Sequence, residues 1–198
     1  MRTKSKRDKV RAFPISDEPR KMKNSRTSKA NSKMKVRIGT WNIGSLTGRS
    51  KELAEVLKRR NIDICCIQEV KWKGANARQI GEGYTVVYNG YGTKNGVGIA
   101  VNEKMCNNII QIKRINDRLM YVKIIIEENI FNIISAYAPQ TGCDSQTKLI
   151  FFECLEETLQ SLPLNESTIL CGDLNGHIGK INVTNNPSHG GFGYGQIN

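Results

Sequence analysis

The stretch Ser167-Thr-Ile-Leu-Cys-Gly-Asp-Leu-Asn-Gly-His177 decides how the rest of the chain is read. Thr168, Ile169, Leu170 and Cys171 form a short, apolar, β-favouring run of the kind a buried strand shows. Gly172 breaks the run, and Asp173 and Asn175 follow two positions apart. If the backbone stays extended, alternation puts both side chains on one side of the strand's C-terminal end. A carboxylate beside a carboxamide there can take a proton or hold a cation, while the amide holds an anionic oxygen. The same residues suit an Asp-X-Asn-Gly turn equally well, and the stretch alone leaves both readings open.

Working outward, three more apolar runs end in polar residues. Val36-Arg-Ile-Gly-Thr-Trp-Asn42 reads as a strand finishing on Asn42. Ile62-Asp-Ile-Cys-Cys-Ile-Gln-Glu69 finishes on Gln68 and Glu69. Ile130 to Ala136 runs into Tyr137-Ala-Pro139, where the proline cannot donate to a ladder and stops the strand. An acid abutting an apolar strand is costly unless it is paired, so Glu69 and Asp173 read as cation-binding or proton-handling groups. Hard carboxylate oxygens suit Mg²⁺, and Asn42, Asn175 and the Tyr137 hydroxyl suit anionic oxygens. One metal, one acid beside an attacking water and several neutral donors make a site for phosphodiester hydrolysis.

Between these runs, Ser50 to Arg60 has Leu53, Ala54, Val56 and Leu57 on one face. This predicts an amphipathic helix that starts near Gly48 or Ser50 and ends at Asn61. Residues 71–83, with Trp72, read as a loop. Tyr84–Tyr88 and Val97–Val101 read as a hairpin around the turn-rich 89–96, and strands are expected at 109–113, 120–127 and 130–136. A second helix is expected over 145–160, with Asp144 as its N-cap and Leu149, Phe152, Leu155 and Leu159 inward. Trp41 and Trp72 are expected to serve packing rather than base stacking. Residues 180–198 are polar and Gly-rich without a strong pattern.

The net charge is +12, and ten of those charges lie in residues 1–35, which hold thirteen Lys/Arg against three acids. Residues 1–34 are therefore expected to be a disordered basic tail and 35–198 a folded domain. Such a tail fits a polyanion such as DNA, or an import receptor, as well as a simple solvated leader. No apolar run is long enough for a membrane span, and no apolar segment follows the basic N-terminus as in a secretory signal. The six cysteines form no Cys-x-x-Cys pair, so free thiols are expected, without disulfides, in a nuclear or cytoplasmic compartment.

Thr40-Trp41-Asn42, Ile67-Gln68-Glu69, Gly96-Val97-Gly98, Ala136-Tyr137-Ala138-Pro139 and Gly172-Asp173-Leu174-Asn175 occur in an order that resembles the endonuclease/exonuclease/phosphatase (DNase-I-like) superfamily. Within it, the chain is most similar to the apurinic-type endonuclease domain of non-LTR retrotransposons and to the craniofacial development protein 2-like chains related to them. The resemblance implies a four-layer α/β sandwich and Mg²⁺-dependent cleavage of DNA, with Mn²⁺ as a substitute ion. It implies Glu69 as metal ligand with Asn42 beside metal and phosphate. It implies Tyr137 and Asn175 on the phosphate, Asp173 on the attacking water, and Gln140 and Arg118 near the substrate. Gln140 stands where the nucleic-acid-cleaving members often have Asn. The family's C-terminal Ser-Asp-His motif does not occur, and neither His177 nor His189 replaces it. A C-terminally truncated domain with impaired hydrolysis is the expectation that follows. The alternatives are an inactive nucleic-acid-binding remnant and a phosphoesterase for lipid or inositol phosphates.

Overall fold

A computed structural model describes residues 34–176. The basic tail up to residue 33, the polar segment 180–198, His177 and His189 lie outside the described residues. Two sheets pack face to face, and a helix lies on each outer side. The first sheet has the order β1-β2-β5-β4-β3, from Ile38–Asn42 (β1), Ile64–Gln68 (β2), Gly74–Gly81 (β3), Tyr84–Gly90 (β4) and Val97–Asn102 (β5). The second has the order β6-β7-β8-β9, from Ile109–Asn116, Leu119–Ile126, Asn129–Tyr137 and Ser167–Asp173. The helices are α1 (Ser50–Arg59), α2 (Glu103–Cys106) and α3 (Ser145–Gln160).

Ile64, Ile99, Met120, Val122, Ile124 and Ile133 fill the space between the sheets. Leu53, Ala54 and Leu57 of α1 cover the outer face of the first sheet. Phe151 and Leu155 of α3 cover Tyr121, Ile134 and Ala136 of the second. The result is the expected four-layer α/β sandwich.

Two strand–helix–strand units place the site. β1 and β2 pair in parallel around α1, and β8 and β9 pair in parallel around α3. Parallel strands joined by a crossover helix end on the same side. Asn42, Gln68, Tyr137 and Asp173 therefore emerge together, because β1 lies against β9 and β2 against β8 and β9.

Several local expectations are corrected. Residues 74–81, expected in a loop, form edge strand β3, antiparallel to β4. Of this Gly- and Ala-containing run only Ile80 is buried, so the strand rests on main-chain pairing that side-chain patterning does not reveal. Helix α1 begins at Ser50, as expected, with Arg49 between Gly48 and Ser50 at the N-cap and no side-chain cap bond there. Asn61 does end α1, in the left-handed conformation at φ 52°. Helix α3 has the expected Asp144 cap, which accepts from the Thr147 amide at 2.8 Å. Its inward face is different: Phe151, Leu155 and Thr158 are buried, while Leu149, Phe152 and Leu159 are exposed. The run Leu149-Ile-Phe-Phe152 is apolar nearly all round the helix, so periodicity could not fix its rotation. Trp72 packs edge-on against Tyr88 as expected, but Trp41 is 41% exposed.

Candidate active site

Asn42 is the hub. Its main-chain neighbour fixes the amide's orientation: the Gly44 N–H donates to Asn42 Oδ1 at 3.1 Å. A main-chain N–H can only donate, so the oxygen must face it and the nitrogen must face the other way. That nitrogen donates to Glu69 Oε1 and to Asp173 Oδ2, each at 2.9 Å. Asn42 thus turns a donor, not an oxygen, toward the acids, and it orders the two carboxylates.

Glu69 follows directly on β2 in the left-handed region, at φ 56°. That strained conformation is held by pinned neighbours, with the Val70 N–H on the Gly96 carbonyl and the Lys71 N–H on the Asn95 carbonyl. Besides Asn42, the Tyr137 hydroxyl donates to Glu69 Oε1 at 3.0 Å, and Lys71 Nζ stands 2.9 Å from Oε2. Burial raises the Glu69 carboxyl, but the bonds from Lys71, Asn42 and Tyr137 outweigh it and hold the group below its ordinary range. The Tyr137 phenol is pushed up by burial and by Glu69 beside it, so it stays a proton donor at neutral pH.

Beneath this surface, buried Gln68 ties the sheets together. Its Nε2 donates to Ser135 Oγ at 3.3 Å, and the Thr40 hydroxyl donates to its Oε1 at 3.3 Å.

Strand β9 ends at Asp173, and the extended alternation does not continue. Asn175 has φ 48°, and its N–H donates to Asp173 Oδ1 at 2.9 Å. The two readings of Asp-Leu-Asn therefore merge: a turn closed by the Asp173 side chain brings Asn175 back to the site. Asn175 Nδ2 donates to the Ala138 carbonyl at 2.7 Å, tying the turn to the end of β8. Gly172 permits the approach, since a Cβ there would lie 2.2 Å from the Ala136 carbonyl oxygen.

Arg118 does not point at this polar cluster from outside but braces it. Its guanidinium donates to the Tyr137 and Ala138 carbonyls at 3.3 Å each and lies 5.1 Å from the centre of the Tyr137 ring. Gln140 Nε2 lies 3.4 Å from the Tyr137 hydroxyl.

The structure thus joins Asn42, Glu69, Tyr137, Asp173, Asn175 and Gln140 in one cluster. It adds Lys71, which the sequence reading missed although it stands only two residues beyond Glu69.

The sequence around this cluster matches a known family over most of the chain. Residues 39–195 match the Endonuclease/Exonuclease/phosphatase family. The chain belongs to that family. Among curated relatives, craniofacial development protein 2 of Bos taurus is 30% identical over 164 residues, which is 81% of this chain and 27% of that protein. The chain thus spans about a quarter of the relative's length. Among solved structures of the endonuclease/exonuclease/phosphatase fold, an AP endonuclease from Archaeoglobus fulgidus superposes with a TM-score of 0.55 at 26% identity. That superposition covers 72% of this chain and 58% of the other. A 3' phosphatase from Neisseria, solved bound to product DNA hairpin, superposes with a TM-score of 0.58 at 21% identity over 71% and 58% of the two chains.

The donor set of this family member suits a hard divalent cation in kind. Glu69 and Asp173 supply carboxylate oxygens, and Glu69 Oε2 already holds one positive charge, the Lys71 ammonium. Among the described residues, no group of three or more His, Cys, Asp or Glu side chains converges on one point. A cation here would complete its shell with water or substrate oxygens.

Proposed function

We propose that this chain is a Mg²⁺-dependent DNA phosphodiester hydrolase module of retrotransposon origin, with Mn²⁺ as a substitute ion. The observation that carries the reading is the shared Asn42 amide, which orders Glu69 and Asp173 side by side beneath the Tyr137 hydroxyl. Asp173 is the water-directing base. One of its oxygens accepts from Asn42 and the other from the Asn175 N–H, so its remaining lone pairs are aimed rather than free to rotate. Tyr137, kept protonated, turns its hydroxyl proton from Glu69 to a non-bridging phosphate oxygen. The second N–H of the Asn175 amide supplies a further neutral donor, while both Asn42 N–H groups stay on the carboxylates. Glu69 holds the metal, which when bound supplies charge neutralisation at the phosphate. Water attacks phosphorus, its proton passes to Asp173, and the P–O bond to the leaving sugar oxygen breaks.

DNA is the substrate class that the basic residues 1–35 favour, because a segment carrying ten net positive charges releases counterions on a polyanion. We place the chain in the nucleus or cytoplasm. No described helix is long and apolar enough to cross a membrane.

A second reading, DNA binding with little or no turnover, is favoured by one observation. The family's Ser-Asp-His motif, which would bring an imidazole to protonate the leaving group or to stabilise its charge, does not occur in the sequence.

Nicking of supercoiled plasmid and of an abasic duplex, with and without Mg²⁺, separates the readings. Asp173→Ala serves as the contamination control, and an inositol polyphosphate as the third substrate arm. Metal-dependent nicking abolished by Asp173→Ala supports the hydrolase. Tight, salt-sensitive DNA binding without nicking supports the second reading. Release of phosphate from the inositol compound alone would overturn both.

A further inference from the structure

Lys71 stands apart from the other groups around Glu69 in chemistry and in mobility. Glu69 Oε1 is held by Asn42 and Tyr137, neutral donors fixed at the ends of strands β1 and β8. Glu69 Oε2 is held by Lys71 Nζ at 2.9 Å, on a side chain that is one-third exposed, while the Glu69 side chain is 18% exposed. A cation approaching this carboxylate meets two rigid neutral donors on one oxygen and a single movable charge on the other. Oε2 is the oxygen that can be vacated.

The backbone shows that the pairing is built rather than incidental. Glu69 and Lys71 are both left-handed, at φ 56° and 52°, and they flank Val70, which is fully buried. Left-handed backbone at a residue other than glycine is costly and persists only where its surroundings enforce it. Here they do: the Val70 and Lys71 amides bond to the Gly96 and Asn95 carbonyls, and the Leu46 amide bonds to the Val70 carbonyl. The turn returns the Lys71 side chain over the carboxylate two residues before it.

We propose that Lys71 is an internal counter-ion. Its ammonium holds the divalent cation's place on Glu69 Oε2, must be displaced for the metal to bind, and thereby sets the metal affinity of the site. This rests on the reading of Glu69 as the metal carboxylate. An ammonium offers one charge and three donors on a flexible stem, so it neutralises Glu69 without fixing it, and a divalent ion with water in its shell outcompetes it. No bond is made or broken in the exchange: one cation leaves the carboxylate as another arrives. In the metal-free protein, Lys71 offsets the charge of Glu69 beside Asp173.

The test needs no nucleic acid and no turnover. Mn²⁺ is titrated into the full 198-residue chain by electron paramagnetic resonance, and Mg²⁺ by calorimetry, for wild type, Lys71→Met, Lys71→Arg and Glu69→Gln. Lys71→Met should bind both ions about two- to fivefold more tightly, the fold-change that corresponds to a partly exposed ion pair. Lys71→Arg, which keeps the charge, should stay close to wild type. Without metal, Lys71→Met should melt at a lower temperature than wild type and recover more on adding Mg²⁺. Lys71→Gln repeats the test should the methionine variant fold poorly. If Glu69→Gln abolishes binding but Lys71→Met leaves affinity unchanged or weaker, the counter-ion role falls while the Glu69 assignment stands. If Glu69→Gln binds like wild type, both fall. Undetectable binding by folded Lys71→Met also overturns the proposal, because removing the competitor should expose the site.

Discussion

Asn42 and Asp173 are 131 positions apart in the chain, and the Asn42 amide nitrogen donates to Asp173 Oδ2 at 2.9 Å. The bond joins the last residues of β1 and β9, which belong to different sheets. The two carboxylates it orders would otherwise repel each other, so Asn42 acts as a positioning donor at the centre of the cluster.

Asn42→Ala should therefore reduce Mg²⁺-dependent nicking by on the order of 10²–10³-fold, the usual effect of losing one well-placed donor. Stability should fall by about 1 kcal/mol, measured by denaturant titration. A full-rate variant would show that the carboxylates are ordered without Asn42.

Arg118 braces Tyr137 by bonding to the Tyr137 and Ala138 carbonyls and by lying over the Tyr137 ring. Arg118→Ala should cost about 1–2 kcal/mol of stability and lower turnover. The salt dependence of DNA binding should keep its slope. A slope smaller by about one unit would place Arg118 on a phosphate instead.

Gly172→Ala would set a methyl group 2.2 Å from the Ala136 carbonyl oxygen, which is backbone and cannot rotate away. The parallel register of Ala136 with Gly172 and of Tyr137 with Asp173 would have to shift. A loss of about 1–3 kcal/mol is expected, with a larger loss of activity than Asn42→Ala because Asp173 and Asn175 move together. Thermal melting and the nicking assay measure the two effects, and an unchanged melting temperature would contradict the close approach.

Glu166 pairs with Lys123 at 2.6 Å and accepts from Asn132 at 2.9 Å, at the opposite end of β9 from Asp173. Burial raises its carboxyl, but Lys123 and Asn132 outweigh burial and hold it below its ordinary value. The stability this contributes is complete above the ordinary glutamate range and disappears as pH falls through the lowered folded-state value. Melting temperature followed from neutral pH into acid should decline less steeply in Glu166→Gln than in wild type. Parallel curves would remove Glu166 from the acid transition.

Deleting residues 1–33 tests the remaining part of the function. The slope of DNA affinity against salt should flatten, and the circular dichroism spectrum should keep its sheet and helix signature. An unaltered slope would mean that the basic segment does not touch DNA.

The sequence determined the elements that rest on local patterns. Strands with strong apolar alternation, the Asp144 cap and the left-handed Asn61 stop follow from residue chemistry within a few positions. So does the set of polar strand ends, because an acid such as Glu69 or Asp173 beside a buried run is conspicuous without any partner. Tertiary structure decided everything that needed a distant partner. Strand β3 exists because β4 offers it main-chain bonds, and α3 turns Phe151 rather than Phe152 inward because Tyr121 and Ile134 receive it. Which atom of Asn42 faces the acids depends on the Gly44 amide, and Arg118 is a brace because the Tyr137 ring lies under it. Lys71 became visible only through the two left-handed residues that fold it back onto Glu69. Hydrogen bonds and ion pairs depend on direction and distance, and two packed sheets set both between residues too far apart in the chain for local pattern to reveal.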